Sequence, residues 1–214
     1  DRIKRFSIPF PGLQLRDSIL VVDGHDVAVL YYMQGEHLGP FGPMEASGNR
    51  IEVLAGELFK FDQQGLMSEL VTVTRLDHVA LQIKGHRHVH AHQTVTLAEP
   101  TRLNPSIAAN LRATAKGLHD KLISGDFSDV AENVLVNVDG AHESGVATLR
   151  MHFNDLLTAF GDLGVEHETV LVDGDRVAIG YQLNGVHTDT WQQPSGDILA
   201  PANKRVQVRV IDFL

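Results

Sequence analysis

Two stretches of the chain alternate apolar and polar residues with the period of two that is typical of β-strands. Each stretch contains an Asp-Gly pair, at residues 23–24 and 173–174, between an apolar run and a run that alternates Val, Tyr and a longer apolar residue. An Asp-Gly pair between two such runs favours a tight hairpin turn. We therefore predict two β-hairpins, each followed by a third strand, at residues 50–61 and 205–214.

The two predicted hairpins resemble each other in sequence. Laying residues 13–37 over residues 163–187 leaves nine positions identical, and five further pairs are apolar in both copies. Because self-similarity at a fixed spacing indicates a repeat architecture, we predict two tandem copies of one unit. Two unrelated hairpins with Asp-Gly turns are the alternative.

Apolar residues at helical spacing occur only in front of the second hairpin. Asn104 followed by Pro105 is a favoured helix start and predicts a helix to about residue 124. A short helix over 126–134 and a third helix over about 146–160 follow. Copy one instead continues into a fourth strand over about 66–76, which copy two lacks.

These elements predict an α+β fold, a cone-like curved antiparallel sheet with helices packed on one face. The fold is present as a tandem repeat, in which the first copy lacks its helices and the second lacks its last strand. We divide the chain into a partial first copy at 1–85, a His-rich linker at 86–103 and a second copy at 104–214.

The linker carries four histidines at alternate positions. In an extended segment their imidazoles lie on one side and could capture a zinc or nickel ion, but no carboxylate accompanies them. We favour a solvated linker and expect no metal site. The four residues are His86, His88, His90 and His92.

Composition excludes several classes of function. The 214 residues are 43% hydrophobic and 21% charged, as in ordinary globular proteins, and the absence of cysteine excludes disulfides, thiolate metal sites and cysteine nucleophiles. A net charge of -9 with scattered basic residues argues against nucleic-acid binding. No apolar run approaches the ~20 residues of a membrane span. We expect a cytoplasmic protein with no nucleic-acid or membrane partner.

The second hairpin reads VDGDRVAIGYQLNGVH over residues 172–187, and its counterpart covers residues 22–37 with a Gly-Pro-rich continuation to Met44. Both resemble the SnoaL-like polyketide cyclase family of the nuclear transport factor 2-like superfamily. The resemblance implies a cone-shaped cavity in which an Asp and a His act as acid and base in an aldol-type ring closure, without metal or organic cofactor. The family's last strand reads about Glu-His-Trp-Asp, whereas here only Glu69 matches in copy one.

His37 and His187 end the second strand of each hairpin, at the mouth of the implied cavity, and are our predicted catalytic residues. Ordering of the following loop by a side-chain hydrogen bond is the alternative. Tyr31 and Tyr181 lie six residues earlier on the same strand face, either lining a pocket or packing. Further predicted ligand contacts are the single tryptophan Trp191, Asn137, Phe41, Met44 and Glu69.

Three functions are compatible with the sequence. The first is an enzyme that cyclises or hydrolyses a polyketide-like ester by acid/base chemistry, and the second is a non-catalytic binder of an apolar ligand. The third is a dimerisation module with a degenerate site. We expect a hydrophobic carbonyl-containing small molecule as partner, a pseudo-dimer of the two copies and a homodimer. A buried ionisable pair would favour the enzyme.

Overall fold

The computed structural model describes residues 6–86, 99–138, 141–192 and 198–214, without the side chains of residues 17, 137, 138, 141 and 142. The described residues form antiparallel sheets and short helices, so the fold class is α+β, as predicted. The chain divides into two compact parts, unit 1 (Asp1–Glu99) and unit 2 (Pro100–Leu214). No helix in the described part of either unit is long and apolar enough to span a bilayer.

Unit 1 contains one sheet whose four strands pair in chain order. The core of this unit lies on one sheet face, where Ile51 and Val53 pack against Phe10 and against Val79 of the following helix. Alternating apolar positions in the third strand provide that face. The elements are β1 (Gln14–Asp23), β2 (Asp26–Glu36), β3 (Arg50–Phe61), β4 (Met67–Thr74) and α1 (Leu76–Ile83).

Unit 2 contains two small hairpins and a three-stranded sheet, in which the strand Arg176–His187 lies between the strands Phe160–Asp173 and Arg205–Phe213. Leu111 and Leu118, from two successive helices, pack on the sheet face that carries Ile179 and Tyr181. The elements are α2 (Pro105–Ala115), α3 (Leu118–Ile123), β5 (Leu135–Val138), β6 (Ala141–Ser144), α4 (Val146–Ala159), β7 (Phe160–Asp173), β8 (Arg176–His187), β9 (Trp191–Gln192), β10 (Ile198–Leu199) and β11 (Arg205–Phe213).

The two hairpins pair in the same register at the spacing seen in the sequence. Both first strands contain an irregularity at the matching place, between Arg16 and Ile19 in β1 and between Glu166 and Thr169 in β7. Such irregularities bend a strand and turn its side chains. In unit 1, Gln14 pairs with Gln34 and Gly35 pairs with Ile51. At the matching positions of unit 2, Gly164 pairs with Asn184 and Gly185 pairs with Val206.

Three helix predictions need correction. The helix predicted from Pro105 to about residue 124 ends at Ala115 and a second begins at Leu118, because Gly117 between them is a poor helix former. Residues 126–134 form turns, since the Asp126 side chain accepts the main-chain N–H of Ser128 instead of allowing a helix. Helix α1 shows that helices are not confined to the second copy.

Candidate acid/base site

A buried imidazole lies between two carboxylates in unit 2. His119 of α3 is 3% exposed, and its Nε2 lies 2.8 Å from Oδ2 of Asp212 in β11. Its Nδ1 lies 3.7 Å from Oε1 of Glu168 in β7, which is too long for a hydrogen bond. Within the described residues, Nδ1 therefore has no hydrogen-bond partner. A buried polar atom without a partner is unfavourable and calls for an explanation.

Tyr181 of β8 completes this cluster. Its hydroxyl donates to the same Oδ2 of Asp212 over 3.1 Å, and its ring centroid lies 4.0 Å from that of His119. Burial, and then the negative charge of Asp212, raise the pKa of the Tyr181 hydroxyl, which therefore keeps its proton. Because the Asp212 carboxylate accepts from Nε2–H, a neutral His119 ring has its lone pair on Nδ1.

The local fold explains how residues far apart in sequence meet. Tyr181 pairs with Val210 across the sheet, so Asp212, two residues further along β11, faces the same side. Glu168 falls within the irregularity of β7, next to His167, whose φ of 55° is left-handed. The bend turns the carboxylate of Glu168 towards helix α3, which carries His119.

The cluster borders solvent through its carboxylates. The side chains of Glu168 and Asp212 are 22% and 38% exposed, whereas that of His119 is 4% exposed. Interactions at the imidazole are therefore screened less than those at the carboxylate edge. An enclosed base next to partly accessible carboxylates suits proton transfer to a bound small molecule.

Unit 1 contains a related pair without the imidazole at its carboxylate. Tyr31 and Glu57 occupy the positions that match Tyr181 and Asp212, and burial, followed by the charge of Glu57 and a hydrogen bond to it, raises the pKa of Tyr31. Thr72 of β4 donates its hydroxyl to Oε1 of Glu57 over 3.3 Å. A threonine hydroxyl thus contacts the carboxylate in unit 1, whereas the imidazole of His119 contacts it in unit 2.

His37 and His187, the predicted catalytic residues, are held by the loops that follow them. Nδ1 of His37 lies 3.0 Å from Oγ of Ser47 and accepts its main-chain N–H over 3.2 Å. Nδ1 of His187 accepts the main-chain N–H of Ala202 over 3.4 Å. Both Nε2 atoms are buried without a hydrogen-bond partner among the described residues. These contacts match the alternative that the two histidines order their loops.

The predicted aromatic contacts lie beside these histidines. Phe41 packs on Phe10 at 5.7 Å between ring centroids, and Trp191 packs on Phe160 at 5.4 Å. Met44 pairs with Phe41 across a short bridge and packs on the same core. These side chains therefore form an apolar contact between each loop and its own unit.

The remaining predicted residues are Glu69, Asn137 and the histidines of the linker. Glu69 is exposed and forms an ion pair with Lys60 at 2.8 Å. It lies three residues before Thr72 in β4 and so faces away from Glu57. The side chain of Asn137 is outside the described residues, although its backbone belongs to β5. His86 is exposed, and the other three histidines of the linker lie outside the described residues.

His119, Glu168 and Asp212 were not predicted from the sequence. A signal for Asp212 was present, because the third strands carry a carboxylate at matching places, Glu57 and Asp212. His119 had no such signal, since it comes from a helix 93 residues before Asp212. In the described part of the chain, no group of three or more His, Asp or Glu side chains is arranged to hold a metal ion.

The described residues of unit 2 thus combine antiparallel strands and helices with a buried polar cluster of His119, Tyr181 and Asp212. A sequence model of the SnoaL-like polyketide cyclase family matches residues 123–214. The matched region includes Glu168, Tyr181 and Asp212, and His119 lies four residues before it. A comparison with curated proteins finds no match.

Several solved structures resemble part of the chain. A protein from Jannaschia sp. CCS1 named as a SnoaL-like polyketide cyclase is 28% identical over 36% of this chain and 54% of its own, with a TM-score of 0.35. TsrD from Streptomyces laurentii is 26% identical over 40% of this chain and 63% of its own, with a TM-score of 0.36. AclR from Streptomyces galilaeus, named as a hydroxylase, is 19% identical over 55% of this chain and 68% of its own, with a TM-score of 0.37. The chain thus spans between half and two thirds of the first two relatives.

Proposed function

We propose that unit 2 binds a hydrophobic, carbonyl-containing small molecule and that His119, oriented by Asp212, performs acid/base chemistry on it. The observation that carries the proposal is the His119 ring, which is 3% exposed, bonded through Nε2 and without a hydrogen-bond partner at Nδ1 among the described residues. The match of residues 123–214 to the SnoaL-like polyketide cyclase family supports the substrate class.

The proposed reaction is an aldol-type cyclisation that uses protein groups alone. Nδ1 of His119 removes a proton from the carbon next to a carbonyl, and the electron pair of that C–H bond forms an enolate. The enolate carbon attacks a second carbonyl carbon of the same molecule, which forms the new C–C bond and leaves an alkoxide. The alkoxide takes the proton back from Nδ1.

The carboxylates support the charged intermediate of this cycle. When His119 takes the proton it becomes an imidazolium, with Asp212 at 2.8 Å from Nε2 and Glu168 at 3.7 Å from Nδ1. A carboxylate that orients a histidine also stabilises its imidazolium form. The same groups serve ester hydrolysis if Nδ1 takes a proton from a water that attacks the acyl carbon and then gives this proton to the alkoxide that leaves as the ester C–O bond breaks.

The geometry favours His119 over His187 as the base. Nδ1 of His187 already accepts the main-chain N–H of Ala202, whereas Nδ1 of His119 accepts no hydrogen bond from a described residue. His119 also has a carboxylate on its other nitrogen, which His187 lacks among its contacts. A catalytic role for His37 or His187 stays a prediction, which their substitution by Asn in the assay below tests.

We propose that unit 1 is a second, non-catalytic copy of the same unit. The hairpin register, the matching strand irregularity and the pairs Tyr31–Glu57 and Tyr181–Asp212 support common descent. Thr72 replaces the imidazole at the carboxylate, and a threonine hydroxyl is not a base at neutral pH. Binding without catalysis, the alternative function for the whole chain, therefore has its best support in unit 1.

Exchange of the α-protons of a ketone tests the proposal without knowledge of the natural substrate. Acetophenone is incubated with the full chain in heavy water, and the loss of its methyl proton signal is followed by NMR. We expect faster exchange than in buffer, and His119→Gln should slow it by about 100-fold or more, as for loss of a general base.

His152→Gln is the matched control, because His152 also faces a carboxylate, Glu143 at 3.3 Å, but lies outside the cluster. It should exchange acetophenone like the wild type. Equal rates for wild type and His119→Gln would contradict the catalytic proposal. Binding of acetophenone without exchange, detected by saturation-transfer NMR, would support the non-catalytic alternative.

Oligomer formation and location stay predictions. Native mass spectrometry of the 23.5 kDa chain would show whether a homodimer forms. Cross-linking within the monomer would show whether the two units pair as a pseudo-dimer. Imaging of a tagged protein in its own host would test the cytoplasmic location.

A further inference from the structure

We infer that unit 1 binds an amphipathic helical segment of a partner protein on the sheet face that carries Leu20 and Glu57, at the place where helices α2 and α3 cover the sheet of unit 2. The inference goes beyond the function proposed above, because it assigns a protein partner to unit 1 and does not depend on the chemistry of His119. It rests on strand register, on exposed apolar side chains and on the position of one carboxylate.

Two rows of paired side chains cross the sheet of unit 1 on this face. Cross-strand partners project from the same side of a sheet, and residues two positions apart in a strand share a face, so both rows lie on one side. The rows are Leu20–Val29–Glu57–Thr72 and Val27–Phe59–Leu70. We call their apolar members the open face, namely Leu20, Val27, Val29, Phe59 and Leu70.

The open face is accessible at both sides of the sheet. Leu20 in the first strand is 47% exposed and Leu70 in the last strand is 43% exposed. Phe6 and Leu13 pack further along the same face, on the cluster that contains Tyr31. Exposed apolar side chains that lie side by side are typical of interaction surfaces.

Helices cover the matching positions in unit 2. Val170, the counterpart of Leu20, is 9% exposed, and Ile179 beside it is 0% exposed. Leu111 of α2 and Leu118 of α3 pack on this cluster. Because the two hairpins pair in the same register, the sheet of unit 1 presents an equivalent surface to a helix.

The width of the open face favours a helix over a small ligand. Leu20 and Leu70 lie on the first and last of four strands. These strands are three interstrand spacings, or about 14 Å, apart. An α-helix with its side chains is about 10–12 Å wide and therefore covers most of this span.

The polar groups that α2 and α3 bring to unit 2 indicate the chemistry of the occupant. His119 of α3 reaches the carboxylate of Asp212, and Arg112 of α2 donates to the carbonyl of Val170, both over 2.8 Å. A helix pair on this kind of sheet thus combines an apolar stripe with an imidazole and a guanidinium.

Glu57 asks for the same complement in unit 1. Its carboxylate accepts a hydrogen bond from Tyr31 and a second one, over 3.3 Å, from the hydroxyl of Thr72. Both donors are neutral, so neither brings a positive charge to the carboxylate. The complementary partner helix therefore carries apolar residues three or four positions apart and an imidazole or basic side chain opposite Glu57.

A synthetic peptide of residues 103–124, which contains α2 and α3, is the probe for this surface. It is labelled with a fluorophore and titrated with the full chain, and the anisotropy is followed. We expect saturable binding, which Leu20→Lys should weaken by about 10-fold or more, because an ammonium group replaces part of the apolar contact. Leu38→Lys is the matched control, since Leu38 is 51% exposed but follows the far end of β2, and it should bind like the wild type.

Peptide variants test the charge without any change to the chain. His119→Glu in the peptide should weaken binding, because it places a second carboxylate against Glu57. Glu57→Gln in the chain should recover part of that loss, since the amide oxygen still accepts from Thr72 but carries no charge.

The inference is overturned if the peptide shows no saturable binding, if Leu20→Lys binds it as well as the wild type, or if the His119→Glu peptide binds equally well. Should Leu20→Lys not fold, as judged by circular dichroism, Leu70→Lys makes the same test at the last strand. Saturation transfer from the chain to acetophenone that Leu20→Lys abolishes, without peptide binding, would assign the open face to a small ligand and also overturn the inference.

Discussion

Tyr181 shows how a single buried hydroxyl organises the candidate site. Its hydroxyl and Nε2 of His119 share one carboxylate oxygen of Asp212, at 3.1 and 2.8 Å. Two donors to one acceptor fix the carboxylate and thereby the imidazole ring. At the residue scale, the chemistry proposed for unit 2 therefore depends on a phenol that keeps its proton.

Two of the buried phenols, Tyr31 and Tyr181, should make the protein sensitive to alkali. Burial raises the pKa of Tyr31 and of Tyr181, so above about pH 10 the unfolded chain releases protons that the folded chain retains. The free energy of unfolding should then fall with rising pH, by up to about 1.4 kcal/mol per pH unit for each tyrosine. Urea unfolding at pH 9, 10 and 11 measures this slope.

Tyr181→Phe should reduce that slope by about half, since one of the two perturbed hydroxyls is gone. The absorbance of tyrosinate offers an independent check in the folded protein. Full ionisation of all three tyrosines below about pH 11, with the circular dichroism unchanged, would contradict the burial of Tyr31 and Tyr181.

At the element scale, the two hairpins have the same type of Asp-Gly turn, but the residues that pack against the two turns differ. Gly24 and Gly174 have left-handed φ values of 64° and 58° at matching positions. A Cβ at Gly24 would meet open space, whereas a Cβ at Gly174 would clash with the carbonyl oxygen of Thr101. Thr101 is itself bonded to this turn, because its N–H donates to Asp175 over 2.9 Å.

Alanine at the two turns should therefore have unequal costs. Gly24→Ala should lower the free energy of unfolding by about 1–2 kcal/mol through the left-handed backbone alone. Gly174→Ala should lower it by clearly more, because the anchored main chain of Thr101 must also move. Denaturant unfolding of the two variants gives the comparison, and equal costs would show that the Thr101 segment yields freely.

Elements formed by local patterns could be predicted from the sequence. The hairpins follow from an Asp-Gly turn and alternating residues, and helix α4 follows from its apolar spacing, as observed at Val146–Ala159. The break at Gly117 and the turn at Asp126 depend on single residues that compete with a helical spacing. Helix α1 has only eight residues, and it begins at Leu76, where the predicted fourth strand was expected to end.

On the scale of the whole molecule, both units have a tyrosine and a carboxylate at matching positions, but a different third side chain contacts the carboxylate in each unit. In unit 2 the helix α3 adds His119, and in unit 1 the strand β4 adds Thr72. The sequence could suggest the tyrosines through the repeat. It could not suggest the imidazole, because the approach of α3 to β11 depends on packing across the fold rather than on spacing.

Nitrogen-15 NMR of histidine-labelled full-length protein tests whether Nδ1 of His119, which has no hydrogen-bond partner among the described residues, acts as the base. We expect the signals lost in His119→Gln to belong to a ring with hydrogen on Nε2, and acetophenone to shift the Nδ1 resonance of that ring more than those of His37 or His187. Hydrogen on Nδ1 of the neutral His119, or shifts confined to His187, would contradict the assignment of His119 as the base.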